Sequence, residues 1–184
     1  MSQGLKAFAE KIKDFTSAYL AGGIQNRTRP DGWRQDITEF LEKNKKVANN
    51  PCADNAKIFN DSIMGYKENG SVYTLEELLK ADEGKWAYLL KQTEENDMYF
   101  IGKSDIIIFY LDDSAGFGTY TEFREVVDRF KKPFIMIRSV SRQNLPHWIG
   151  SRRYFSLIRE RNAIEFKNLT EMRQFFKDYL GFKE

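Results

Sequence analysis

Between Ser104 and Glu122 the chain reads Ser-Asp-Ile-Ile-Ile-Phe-Tyr-Leu-Asp-Asp-Ser-Ala-Gly-Phe-Gly-Thr-Tyr-Thr-Glu, and this stretch concentrates groups that can do chemistry. Asp112 and Asp113 follow directly on the apolar run Ile106 to Leu111. A small-residue loop with Ser114, Gly116 and Gly118 comes next, and then a helical pattern with Glu122 in its first turns. The glycines free backbone amides to face a ligand, and a helix start favours negative charge nearby. Glu122 therefore has two readings. It is an acid that merely complements the helix dipole, or it is a nucleophile kept ionised by that field and the neighbouring amides.

A second candidate is Tyr19-Leu-Ala-Gly-Gly-Ile24, where a strand runs into Gly22 and Gly23 and lets a ligand approach the backbone. The plain alternative is a strand-to-loop turn. The following helix starts some ten residues later, too far for a dinucleotide fingerprint. Asp105 reads as a strand-entry cap, and Glu94, Glu95 and Asp97 read together as a solvated helical face. His147, the one histidine, has no ligand pattern around it, so no metal site and no cofactor are expected. Arg152, Arg153, Arg159 and Arg161 can meet a phosphate but read first as a solvated helix face. Tyr19, Trp33, Phe117 and Tyr120 can stack on a planar ligand or serve equally as core or interface filler. No Gly-x-Ser-x-Gly elbow and no Walker motif occurs.

The elements that must position these groups alternate. Helical periodicity is seen at Leu5–Phe15, Trp33–Asn44, a long zone from about Leu75 to Phe100 with a possible break near Gly84, Thr119–Phe130, Pro146–Arg161 and Thr170–Leu180. Strand signals fall at Thr16–Ala21, Val47–Ala48, Ile106–Leu111, Phe134–Ile137 and Ala163–Phe166, whereas Cys52–Ser71 is ambiguous. Unbroken apolar strands imply burial on both faces. The expectation is an α/β chain: a Rossmann-like or flavodoxin-like three-layer sandwich with a mostly parallel sheet of about five strands, in a single domain over residues 1–184.

Composition narrows the class. The 184 residues are 41% hydrophobic and 15% aromatic, enough for a sizeable core. A net charge of +2 gives no electrostatic case for nucleic-acid binding. One cysteine, Cys52, excludes a disulfide framework, and neither a membrane-spanning run nor a signal-peptide core is visible. A cytoplasmic setting is expected, and the glycosylation-type triplets at Asn26, Asn69 and Asn168 read as chance.

In order, Tyr19-Leu-Ala-Gly-Gly-Ile24, Trp33-Arg34, Asn50-Pro51, Asp97 eight residues before Asp105, Gly118-Thr119-x-x-Glu122 and Lys132-Pro133 resemble the nucleoside 2-deoxyribosyltransferase-like superfamily. The resemblance covers residues 17 to 140, and its most specific part is the Asp-strand-Asp-loop-Gly-Thr-x-x-Glu block. The chain departs from the family in having Gly23 where proline is usual and Arg124 where a small residue is usual. The resemblance implies an enzyme, a nucleoside deoxyribosyltransferase or nucleotide N-glycosidase, that cleaves N-glycosidic bonds without a cofactor. Glu122 would be its nucleophile, and Asp97 would help protonate the leaving base. The loop Asp112, Asp113, Ser114, Gly116, Gly118 would lie over the sugar, with Ser114 near a 5′-phosphate, and Gly22-Gly23 would line the pocket. The implied partners are a nucleoside or nucleotide, a free base, and further copies of the chain as a homodimer or larger. Two other readings stand beside it: a non-catalytic nucleotide sensor on the same scaffold, and an interaction protein whose acidic loop is only a solvated edge.

Overall fold

Hydrophobic runs with strand-forming residues build the centre. In the computed structural model, which describes residues 3–22, 32–51, 83–112, 117–139, 160 and 162–184, five strands form one sheet in the order β2-β1-β3-β4-β5. They are β1 (Ser17–Gly22), β2 (Val47–Asn49), β3 (Ile106–Leu111), β4 (Phe134–Arg138) and β5 (Ala163–Phe166). All pairings are parallel. The helices are α1 (Gln3–Ile12), α2 (Gly32–Lys43), α3 (Glu83–Lys103), α4 (Phe117–Glu125) and α5 (Leu169–Leu180), and α4 continues into a wider π-helical turn, Val126–Phe130. The expected α/β sandwich with a parallel sheet is the observed one. Among the described residues α3 runs through Gly84 without a break. Gly23, Asp113, Ser114, Gly116, Cys52–Ser71, His147 and the arginines from Arg152 to Arg161 lie outside the described residues.

Alternation along each strand sorts side chains into two cores. Ala18, Leu20, Ile106, Ile108, Ile135, Ile137, Ile164 and Phe166 face one layer, covered by α1, α2 and α5. Tyr19, Ala21, Ile107, Phe109, Leu111, Phe134, Met136 and Ala163 face the other, covered by α3 and α4. Each Ile, Leu or Phe removed from water contributes about 1.5–3 kcal/mol, so β3, buried on both sides, anchors the sheet. The layer over α5 is aromatic, with Phe175 and Phe176 meeting Phe8, Phe15, Phe40 and Phe166.

Ends are set locally. Asn168 caps α5 by accepting from the Glu171 amide, and Gly181 closes it at φ +71, a left-handed geometry that suits glycine. Asp105 is the expected strand-entry residue: its Oδ2 accepts from the amides and hydroxyls of both Thr16 and Ser17 at 2.8–3.2 Å. Burial opposes its charge, but these hydrogen bonds outweigh it and hold the carboxyl below its ordinary range. No helix among the described residues is long and apolar enough to cross a membrane.

Asp105→Ala removes the shared acceptor that ties the start of β1 to β3. It should lower stability by about 1–3 kcal/mol, read as a shifted denaturant midpoint with an unchanged slope.

Candidate active site

The strand order reverses direction between β1 and β3, and in open parallel sheets ligands bind at the carboxyl ends of the strands flanking such a switch. Gly22 ends β1 in register with Tyr110, and Leu111 ends β3 with Asp112 half-buried after it. Two layers meet this edge differently.

On the side of α3 and α4 the site is acidic and closed. Thr119, Glu122, Phe123 and Val126 recur at helical spacing and are all buried, so Glu122 lies within the stripe that α4 and its extension press on the sheet. The Tyr19 hydroxyl, from the middle of β1, donates to Glu122 Oε1 at 2.6 Å. Tyr19 has no exposed surface and Glu122 only 9%. Asp97 joins them from α3. It stands one turn before the buried Ile101 and is itself half-buried, whereas Glu94 and Glu95 are exposed and Glu95 pairs with Lys91 at 3.7 Å. The solvated face expected for all three acids thus holds for Glu94 and Glu95, whereas Asp97, one turn from Ile101, is drawn toward the core.

These neighbours decide protonation. Burial, then the charge of Asp97, raises the Glu122 carboxyl from its ordinary 4.5 to about 8, with the Tyr19 hydrogen bond and Arg34 pulling the other way. Burial and the Glu122 and Asp97 charges push the Tyr19 phenol well above its usual 10, so Tyr19 is the proton donor of the pair. This corrects the picture of a carboxylate held ionised at a helix start. Glu122 is the sixth residue of α4, beyond the reach of the terminal amides, and desolvation outweighs the helix field. Tyr19 is likewise no surface stacking platform; its ring is core and its hydroxyl holds the carboxyl.

On the other side of the sheet lie Trp33 and Arg34. Trp33 packs beneath Gly22 and stacks on Tyr110, ring centroids 5.0 Å apart and 17° from parallel. A Cβ on Gly22 would fall 2.7 Å from Trp33 Cζ2 and 2.9 Å from the Tyr110 carbonyl, so the glycine permits close packing of its own chain. Trp33 is separated from Glu122 by the sheet and supports the strand end from behind. Arg34, fully buried, was not among the expected site residues. Its signal is legible: Arg34, Ile37 and Leu41 recur on the apolar stripe of α2, where a cation is out of place. Its Nε donates to the Leu20 carbonyl at 3.2 Å and its Nη2 to that of Gly22 at 2.5 Å.

At the rim, Gly118 is exposed with open space around it, and Tyr120 is half-buried against the α3–α4 core, which raises its phenol pKa. Arg124 turns outward, its side chain 76% exposed and 3.8 Å from Asp128, so the departure from a small residue does not crowd Glu122. Among the described residues no His, Cys, Asp and Glu group is arranged to hold a metal ion.

No family model matches the chain, and no curated protein does. Among solved structures it is similar to the CMP N-glycosidase BcmB of Clostridium botulinum. The TM-score is 0.43 at 12% identity, over 89% of this chain and 99% of that one.

Two outcomes test this geometry. Gly22→Ala should lose about 1–3 kcal/mol in denaturant unfolding, since the indole and a backbone carbonyl cannot both give way. Glu122 binds its proton more tightly folded than unfolded, so its stabilising contribution is complete below pH 4.5 and is lost as pH rises through about 8. The melting temperature of the wild type should therefore fall relative to Glu122→Gln between about pH 5 and about pH 8.5. Parallel curves would mean that Glu122 titrates normally.

Proposed function

We propose that this chain cleaves the N-glycosidic bond of (deoxy)nucleosides or nucleotides through a covalent ester between the sugar and Glu122, and passes a 2-deoxyribosyl group to an acceptor base. The observation that carries this reading is the buried carboxyl of Glu122, oriented by the Tyr19 hydroxyl at 2.6 Å with the Asp97 carboxyl acting on it from a different helix. Two carboxyl groups of unlike surroundings suit a reaction through an oxocarbenium-like transition state, in which one traps the cation and the other manages the leaving group. The ordered motifs shared with the deoxyribosyltransferase-like superfamily support the same assignment.

The steps balance without a cofactor. The hydrogen bond to Oε1 leaves Oε2 to attack the anomeric carbon. As that bond forms, the bond from carbon to base nitrogen breaks, and the Asp97 carboxyl delivers a proton to the departing base. Asp97 then accepts a proton from the incoming nucleophile, whose lone pair displaces Glu122 from the anomeric carbon. A second base gives transfer and water gives hydrolysis, and exclusion of water favours the former. The two carboxyls share one negative charge in the reactive state, ionised at Glu122 and protonated at Asp97. That state is a tautomer of the singly protonated pair that the free protein holds up to about pH 8, so kcat/KM should fall as pH rises through about 8, where the shared proton is lost.

The decisive experiment incubates the purified protein with deoxynucleosides and their monophosphates, with and without an acceptor base, and identifies products by mass spectrometry. Free base or exchanged nucleoside is expected, and Glu122→Ala should reduce it at least about 100-fold while keeping the fold. A panel without any base release, or near-normal turnover in that variant, would sink the assignment.

A further inference from the structure

The β1 strand outruns its neighbour. The last register pair between β1 and β2 is Tyr19 with Asn49. The Thr16 carbonyl accepts from the Val47 amide, so it points toward β2, and the carbonyls of Leu20 and Gly22, at even spacing from it, point the same way. Among the described residues β2 ends at Asn49, and the next position in step with the Leu20 carbonyl, Pro51, has no amide hydrogen to offer. A buried carbonyl without a donor is costly, and Arg34 supplies one donor to each of the two. Because Tyr19 directly precedes this clamped segment, the clamp bears on the hydroxyl that orients Glu122.

We propose that Arg34 is a positioning residue for Glu122: its guanidinium holds the two β1 carbonyls beyond the last β2 pair, locks the end of β1, and fixes from behind the sheet the tyrosine that holds the reactive carboxyl. The inference rests on Glu122 as the reactive group. The same residue places a permanent cation in the interior near that carboxyl. Among the described residues the groups that act on Glu122 are Tyr19 from β1, Asp97 from α3 and Arg34 from α2, and of these Arg34 favours ionisation by its charge.

Two variants separate geometry from charge. Arg34→Lys keeps the charge but cannot fork across two carbonyls, and Arg34→Gln keeps an amide donor but loses the charge. The Glu122 carboxyl is followed in the full chain by infrared difference spectroscopy, assigned against Glu122→Gln, alongside kcat and KM for base release. Arg34→Gln should move the Glu122 midpoint upward by about one pH unit, the scale for removing a nearby opposite charge, while Arg34→Lys stays near the wild type. Both should lose kcat by about 10-fold or more with little change in KM, as expected when the reactive group is misplaced. If both variants titrate and turn over like the wild type and differ only in melting temperature, Arg34 is merely structural and the proposal is overturned. If no nucleoside loses its base, the N-glycosidic reading fails; a Glu122 carbonyl stretch shifted in both variants, as a disturbed Tyr19 hydrogen bond requires, then supports the positioning role, and an unshifted one overturns it.

Discussion

Tyr19 and Glu122 stand 103 residues apart, yet a 2.6 Å hydrogen bond joins them out of water. That bond forms only when β1 lies beside β3 and α4 is pressed on the layer that contains Tyr19, Phe109 and Phe134. A carboxyl in this position is unfavourable by itself, because desolvation penalises its charge and an unmet lone pair penalises its neutral form. The phenol offsets part of that penalty, by about 0.5–1.5 kcal/mol net for an ordinary hydrogen bond. Much of the site's design follows from keeping this one group buried and oriented.

Electrostatics then divides the neighbourhood. Burial and then Asp97 drive Glu122 toward its neutral form, while the Tyr19 hydroxyl and the guanidinium of Arg34 resist. The balance leaves a carboxyl poised near neutrality rather than at the acid end of the scale, which is the condition for exchanging protons with a bound substrate and a second carboxyl. The phenol stays protonated because burial, then the charges of Glu122 and Asp97, disfavour a phenolate. The hydrogen-bond donor is thus constant while the carboxyl state varies.

The back of the sheet contributes by backbone accounting alone. Two β1 carbonyls lie beyond the last β2 pair, and α2 answers with a charged side chain on an otherwise apolar stripe. Trp33, the next residue along, fills the space under Gly22 and stacks on Tyr110, so the same helix turn both supports and terminates the strand. A side chain of any size on Gly22 would push against the indole and break that support.

How much of this was legible in the sequence differs by kind of feature. The five strands and their parallel arrangement were written in short apolar runs alternating with helical periodicity, because burial on both faces leaves no room for polar residues in a central strand. Asp105 was legible as a strand-entry residue from its place just before the apolar run, although the amides it serves lie across the sheet at the start of β1. Glu122 stood out by its place after the acidic loop. Its protonation did not, because burial and Asp97 reach it only through packing, and a helix position alone suggested an ionised group. Asp97 looked like one of three solvated acids until the Ile101 face turned it inward. Trp33 looked like a ligand platform until the sheet was seen to lie between it and Glu122. The sequence by itself determined the periodicities, and with them the layers, because hydrophobic patterning acts along the chain. Only the tertiary structure decided which side of the sheet each polar group meets, and with it the charge that Glu122 carries, because desolvation and Coulomb forces act through space.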